Sequence, residues 1–203
     1  GRGLALRFAL AGEKVIIGSR DKQRAGEAAA SVAELAPPDS VTGGLNDEVA
    51  FASEVVFVAV PYGGHRATLD SLRELLEGKV VVDVVAPLEF KRGRASALRV
   101  DHGSAALEAQ AVLPNSTVVA AFQNVSAEDL LEPESSIESD VIVCADDEDA
   151  KSMVIGLANA INGIRGVDGG GLQIARYVED FTAMLLNINR IYKAHSTIRI
   201  VGI

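Results

Sequence analysis

The sequence predicts an α/β protein with a doubly wound, mostly parallel Rossmann-type sheet and a small helical C-terminal domain. Short apolar runs rich in β-branched residues, typical of buried parallel strands, recur at residues 15–17, 54–60, 79–85, 117–122 and 141–143. Segments of helical composition separate these runs. Such alternation is typical of parallel sheets whose strands are connected by helices.

The composition is that of a globular protein and disfavours nucleic-acid-binding and membrane-spanning classes. The 203 residues suffice for a full core, and 48% hydrophobic with 23% charged residues is ordinary for a globular protein. A net charge of −9 and only 4% aromatic residues disfavour nucleic-acid binding. Cys144 is the only cysteine, which excludes an internal disulfide, and no apolar run reaches membrane-spanning length. We therefore expect a cytoplasmic protein with neither a nucleic-acid nor a membrane partner, and Cys144 as a small buried residue.

The first twelve residues read as a helix closed by Gly12 that leads directly into the strand beginning at Val15. In a doubly wound sheet another strand precedes such a helix and lies at the centre. We therefore expect further residues upstream of Gly1. Gly1 is then the last glycine of a GxGxxG turn, next to the pyrophosphate of a dinucleotide.

The end of the Val15 strand carries the first candidate binding residues. An acidic residue at this place would bind a free ribose 2'-hydroxyl, but the chain has Ser19 followed by Arg20 and Arg24. A hydroxyl and two guanidinium groups suit a 2'-phosphate, which predicts NADP rather than NAD. The residues alone leave another interpretation open, in which Ser19 caps the next helix and both arginines are solvated.

The following segments predict a helix over 21–35, a short strand over 41–44, a short helix over 46–52 and the strand 54–60. That strand ends in a loop containing Pro61, Tyr62 and His65. Ligands of parallel sheets bind at the carboxyl ends of strands, so Tyr62 and His65 are candidates to contact a nicotinamide. Alternatively, Tyr62 packs in the core and His65 only begins a helix.

The strand 79–85 ends in a similar loop, Ala86-Pro87-Leu88, which predicts that both loops lie at one rim of the sheet. A basic cluster follows at Lys91, Arg92 and Arg94. It is either a solvated loop or a binding site for a phosphate or carboxylate tail.

The C-terminal half continues the pattern. A helix is predicted over 104–112, and the strand 117–122 exits into Gln123-Asn124-Val125-Ser126. Residues 128–140 read as a surface excursion, 141–144 and 164–171 as strands, and 172–192 as a long amphipathic helix suited to packing or to a dimer seam. The acids at 146–149 favour a helix N-terminus over a metal cluster, and the three histidines lack zinc spacing, so we predict no metal site.

Taken together, these segments resemble the NADPH-dependent reductases of the deazaflavin coenzyme F420, also called F420:NADP oxidoreductases. The resemblance covers almost the whole chain in order and spacing. It is carried by residues 1–7, 18–20, 59–61, 143–147, 168–172 and 185–188.

The resemblance implies a NADP-binding domain over residues 1–145, a small C-terminal domain over 146–203, and a cleft between them for the deazaflavin. It assigns the 2'-phosphate to Ser19, Arg20 and Arg24. The residues implied to line the nicotinamide are Val60, Pro61, Tyr62, His65, Ala86, Pro87 and Leu88, and those implied to lie under the deazaflavin are Gln123, Asn124 and Val125. The family often has a histidine where this chain has Gln123.

The resemblance implies an oxidoreductase that transfers a hydride directly between NADP and coenzyme F420. It also implies that the protein is a homodimer. Such a transfer needs the rings held face to face in a dry site, so we predict no catalytic acid, base or nucleophile. Two alternatives share the nucleotide site. One is a NADP-dependent reductase of an imine, a keto acid or a flavin, and the other is a non-catalytic NADP-binding redox sensor.

Overall fold

The computed structural model describes residues 1–203, which form seven α-helices and nine β-strands. In chain order these are α1 (Arg2–Leu10), β1 (Val15–Ser19), α2 (Lys22–Ala33), β2 (Val41–Leu45), α3 (Asn46–Ala52), β3 (Val55–Val58), α4 (Tyr62–Leu72), β4 (Val80–Asp83), β5 (Leu88–Lys91), β6 (Arg94–Ala97), α5 (Ala105–Val112), β7 (Thr117–Ala120), β8 (Ser139–Cys144), α6 (Glu148–Asn159), β9 (Ile164–Gly170) and α7 (Ala175–Tyr192). Short 3-10 helices cover Arg73–Leu76, Asp129–Leu131 and Leu172–Ile174.

The central sheet has five strands in the order β3-β4-β7-β8-β9. β3, β4 and β7 are parallel, β8 meets β7 antiparallel at Ala120 and Cys144, and β9 runs parallel to β8. β1 and β2 form a separate parallel pair, and β5 and β6 form an antiparallel hairpin. The predicted α/β class with a mostly parallel sheet is confirmed.

Helices cover both faces of the central sheet. Val82 and Val119 belong to a core cluster shared with α1 and α6, whereas their neighbours Val81 and Val118 belong to a cluster shared with α4, α5 and α7. Successive side chains of a strand point to opposite faces, so the apolar runs of β4 and β7 fill both layers at once. This is why these strands read as continuous apolar runs rather than alternating ones.

One local prediction was wrong, and one pair of strands was missed. We expected the Val15 strand to be buried, but Ile16 is 36% exposed and Gly18 is exposed, while Val15 and Ile17 pack against α1 and α2. Only one face of β1 is covered, so its side chains alternate between core and solvent. The basic residues Lys91, Arg92 and Arg94, interpreted as a solvated loop or an anion site, lie at the turn of a hairpin between β5 and β6 that was not predicted, and Arg92 and Gly93 both have positive φ there.

None of the helices combines the length and the apolar character that crossing a bilayer requires.

Candidate functional site

Two adjoining cavities open where β3, β4 and β7 end. The smaller, which we call the strand-end pocket, has a volume of about 270 Å³; its lining residues are Gly1, Gly3, Leu4, Ala59, Val60, Pro61, Tyr62, Val84, Val85, Ala86, Phe122, Gln123, Val125, Ala127 and Leu130. The larger, the α7 cleft, has a volume of about 530 Å³; its lining residues are Gln123, Asn124, Val125, Ser126, Ala127, Glu128, Thr182, Leu185, Leu186, Asn189, Lys193, Ala194, His195 and Ser196. Gln123, Val125 and Ala127 line both.

The structure brings most of the predicted ring-binding residues together. Gly1, Val60, Pro61, Tyr62, Ala86, Gln123 and Val125 all line the strand-end pocket, and Asn124 lines the α7 cleft. The parallel strands end at one edge of the sheet, and this places the three loops side by side. Pro87, Leu88 and His65 line neither cavity. Their contact with a ligand stays a prediction.

The three residues predicted to hold a 2'-phosphate lie at the carboxyl end of β1. Asp21, not Ser19, caps α2, because its carboxylate accepts a hydrogen bond from the Arg24 N–H at 3.1 Å. Ser19 Oγ accepts a weaker one from the Asp21 N–H. Arg20 and Arg24 are exposed, and their guanidinium groups make no ion pair. Both charges are therefore free to meet an anion.

His65 lies on α4 behind the wall of the strand-end pocket and has no exposed surface. Its Nε2 is 2.6 Å from Oδ2 of Asp83, which is also fully buried at the end of β4. Burial acts to lower the pKa of His65, but the hydrogen bond and charge of Asp83 outweigh it and raise the pKa above the usual value. The pair joins a helix to a strand end, a connection that the sequence did not indicate.

Asp83 also fixes the two loops that form the cavities. Its Oδ1 accepts a hydrogen bond from the Val85 N–H at 2.9 Å, which orients the loop after β4. Its main-chain carbonyl accepts hydrogen bonds from the Ala121 N–H and from Nε2 of Gln123. One aspartate therefore holds α4, the 84–88 loop and the Gln123 side chain in a single arrangement.

Further carboxylates lie beside this pair. Glu179 on α7 is buried, and its oxygens accept hydrogen bonds from the Ala105 and Ala106 N–H groups at the start of α5. Burial raises the pKa of Glu179 to about 7, against the opposing effect of those two hydrogen bonds. Tyr62 donates to Glu108 at 3.1 Å, and burial with the Glu108 charge raises the Tyr62 pKa to about 12. The Tyr62 hydroxyl therefore keeps its proton at neutral pH.

The segment after Gln123 is held by a buried arginine. Arg7 on α1 donates from Nε to the Leu130 carbonyl at 3.0 Å. Its two Nη atoms donate to the carbonyls of Asp129, Glu132 and Ser135. Gly3 permits this packing, because a Cβ there would lie 2.6 Å from Leu130 Cβ. Sequence reasoning missed both residues, although an arginine on the apolar face of a helix was an available signal.

The chemistry of the two cavities fits a pair of planar rings. Eleven of the fifteen residues that line the strand-end pocket are hydrophobic. Two amide oxygens of residues that line the cavities, Oε1 of Gln123 and Oδ1 of Asn124, are buried without a partner in the protein. The residues at the junction of the cavities include no carboxylate, thiol or imidazole. The arrangement offers shape and hydrogen-bond acceptors, whereas the free positive charge lies at the end of β1.

Comparison with known proteins shows to which family the chain is related. The family model described as NADP oxidoreductase, coenzyme F420-dependent, matches residues 1–87. The F420-dependent NADP reductase of Methanothermobacter marburgensis is 42% identical over 93% of this chain and 87% of its own length. That of Methanocaldococcus jannaschii is 39% identical over 100% of this chain and 94% of its own. A crystal structure from Arthrobacter sp. FB24, named for the same activity, matches 100% of this chain and 96% of its own with a TM-score of 0.82 at 24% identity, which supports the fold.

Proposed function

This chain belongs to the family of coenzyme F420-dependent NADP oxidoreductases, and we propose on that premise that it transfers a hydride between NADP and coenzyme F420 across the junction of the two cavities. The resemblance inferred from the sequence is thereby confirmed, as is the oxidoreductase class. The observation that carries the proposed site is that the strand-end pocket and the α7 cleft share Gln123, Val125 and Ala127. Two ligands bound in adjoining cavities would meet there.

The nucleotide half of the site is formed by residues 1–145. Gly1 lies at the N-terminus of α1, where main-chain N–H groups and the helix dipole favour a pyrophosphate. Ser19, Arg20 and Arg24 would hold the 2'-phosphate, and the two free guanidinium groups support this role. In a protein of net charge −9, such a local cluster of positive charge also guides the anionic nucleotide to the site.

The ring half of the site is formed by three loops of the first predicted domain, those that follow β3, β4 and β7. Val60, Pro61, Tyr62 and Ala86 would contact the nicotinamide, and Gln123, Asn124 and Val125 the deazaflavin. We propose that His65, Pro87 and Leu88 act from behind, by shaping the two loops. NADPH supplies a hydride, and the protein aligns the rings and excludes water, so no side chain serves as acid, base or nucleophile.

The second predicted domain, residues 146–203, supplies the far wall of the α7 cleft through Thr182, Leu185, Asn189 and their neighbours. We propose that the two domains differ in the part of the site that each supplies. They share the central sheet, because β9 continues it beyond residue 145.

We also propose a homodimer. The face of α7 away from the cleft exposes Tyr177, Met184 and Ile191 at seven-residue spacing, and Phe90 and Tyr192 are exposed as well. Light scattering after gel filtration tests the dimer, and a Met184→Lys variant should shift the mass to that of a monomer. A cytoplasmic location is proposed from the single, buried and free thiol of Cys144.

The deciding experiment mixes the protein with NADPH and oxidised coenzyme F420 without oxygen and follows the deazaflavin absorbance. We expect bleaching at a catalytic rate with NADPH and little with NADH. Bound NADPH without bleaching would refute coenzyme F420 as the acceptor and leave the nucleotide site standing. An imine or keto acid that is reduced in its place would identify the related reductase.

A further inference from the structure

Three buried side-chain atoms have no hydrogen-bond partner within the protein, and all three belong to residues of the candidate site. They are Nδ1 of His65, Oε1 of Gln123 and Oδ1 of Asn124. A buried polar atom without a partner destabilises the folded state, so such atoms are uncommon and need an explanation. Gln123 is 7% exposed and is one of the residues that line both cavities, while its Oε1 is buried.

The orientation of the Gln123 amide is fixed by its neighbour. Its nitrogen lies 3.0 Å from the main-chain carbonyl of Asp83. A carbonyl accepts hydrogen bonds and cannot donate them, so the nitrogen of the amide must face Asp83 and the oxygen must face away. Gln123 therefore keeps one unused hydrogen-bond acceptor, Oε1, in one defined orientation.

We propose that Oε1 of Gln123 recognises an N–H group of the bound ring system and so selects ligands that carry a donor at that edge. This inference rests on the proposed function. Two chemical sources can supply the donor: the carboxamide of the nicotinamide and a ring N–H of the deazaflavin. Asn124 shares the arrangement, with Nδ2 bound to the Asp140 carbonyl at 2.8 Å, but it lines only the α7 cleft.

Asp83 and His65 act as positioning residues for this acceptor. The Asp83 carboxylate binds His65 on one side and the Val85 N–H on the other, so the end of β4 cannot rotate. The Asp83 carbonyl that holds Gln123 is fixed with it. Because a hydrogen bond weakens steeply with misalignment, loosening this strand end would weaken recognition without touching the ligand.

The test compares wild-type protein with Gln123→Leu, which is similar in size but has no acceptor. Dissociation constants of NADPH and of oxidised coenzyme F420 are measured separately by calorimetry. We expect Gln123→Leu to bind one of the two about tenfold more weakly, the scale of one lost hydrogen bond to a buried group, and the other within about twofold. The ligand that is weakened identifies the source of the N–H.

The 3-acetylpyridine analogue of NADPH separates the sources independently, because it lacks the carboxamide N–H. If the carboxamide is the donor, wild-type protein should bind this analogue about as weakly as Gln123→Leu binds NADPH. If the deazaflavin is the donor, wild-type protein should bind the analogue about as tightly as it binds NADPH.

Gln110→Leu is the matched control. Gln110 on α5 also donates from Nε2 to main-chain carbonyls, those of Leu113 and Ser116, but its Oε1 accepts from the Val118 N–H and it lines neither cavity. Both dissociation constants should stay at the wild-type values. Asp83→Asn tests the positioning role: it should weaken the same ligand as Gln123→Leu and spare the other, whereas a merely structural role would weaken both.

The binding measurements distinguish failure of this inference from failure of the proposed function. If wild-type protein binds both ligands and Gln123→Leu binds them equally well, the inference is wrong and the proposed function stands. Equal weakening of both ligands would make Gln123 a wall residue and also overturn the inference. If wild-type protein binds neither ligand, the proposed function fails, and the inference fails with it.

Discussion

At the end of β1, Arg20 and Arg24 are exposed and their charges unpaired, whereas Asp83, His65 and Gln123, beside the ends of β4 and β7, are buried, and Asp83 bonds to each of the other two. The first region can bind an anion without any prior cost, because solvated guanidinium groups need no partner in the free protein. The second must be organised before a ligand arrives, because unpaired buried groups are costly.

The two regions differ in whether the affinity for a ligand and the stability of the fold depend on the same contacts. Changes near β1 should alter the binding of a charged ligand and leave the fold intact. Changes at the strand ends should alter the fold first, because the same contacts that orient the ring site also join α4, β4 and β7. The following predictions are ordered by the size of the expected effect.

Asp83→Ala should give the largest effect. It leaves His65 buried without its partner, and removing one member of a buried pair costs about 3–5 kcal/mol in the free energy of unfolding. The control is Asp70→Ala, which removes an exposed pair with Arg66 at 3.8 Å and should cost less than about 0.5 kcal/mol. Urea denaturation measures both. Equal costs would abolish the contrast between buried and exposed regions.

Glu179 should make stability depend on pH. Its pKa is about 7 in the folded protein and near 4.5 when unfolded, so the unfolded chain loses this proton first as the pH rises. The stabilisation is present below about pH 4.5 and is lost as the pH rises towards 7, by an amount of the order of 3 kcal/mol. Glutamine at this position does not titrate, so the stability of Glu179→Gln, measured by thermal unfolding, should depend less on pH than that of the wild type between about pH 5 and pH 8. A wild-type curve that rises over this range would contradict the assignment.

Gly3→Ala should destabilise the wall of the strand-end pocket by about 1–3 kcal/mol, because its Cβ would overlap with Leu130 Cβ at 2.6 Å. Gly26→Ala is the matched control. Gly26 lies inside α2 with nothing within 4 Å of an added Cβ, so alanine there should stabilise by about 0.5–1 kcal/mol. Denaturant midpoints that move in the same direction for both variants would show that the close packing of α1 is not the cause.

Arg20→Ala should leave stability unchanged and weaken NADPH binding by about 1–3 kcal/mol, the scale of a lost charge-assisted hydrogen bond. NADH, which lacks the 2'-phosphate, should bind almost as before. Arg73→Ala removes an exposed arginine from the 3-10 helix that follows α4 and should change neither constant. Equal losses for NADPH and NADH would refute the role of Arg20, and a loss of stability would remove the distinction between the two regions.

The sequence predicted most of the regular structure because its signals were local. The apolar runs at β3, β4 and β7 and the acidic helix start at 146–149 each depend on residues within one element. The hairpin from Leu88 to Ala97 was missed, because its strands are short and its polar side chains resemble a loop. The half-exposed state of β1 was missed because burial depends on what covers each face of a strand.

By itself, the sequence determined the α/β class, the order of the strands and helices of the central sheet, and which loops end the parallel strands, and its resemblance to known reductases indicated the family. The class and the loops follow from periodicity and composition along the chain. Only the tertiary structure decided that His65 lies behind the pocket, that Asp83 orients Gln123, and that Arg7 holds the 129–135 segment. These contacts join residues between 18 and 128 positions apart, and no local pattern records which distant partner a buried polar group will find.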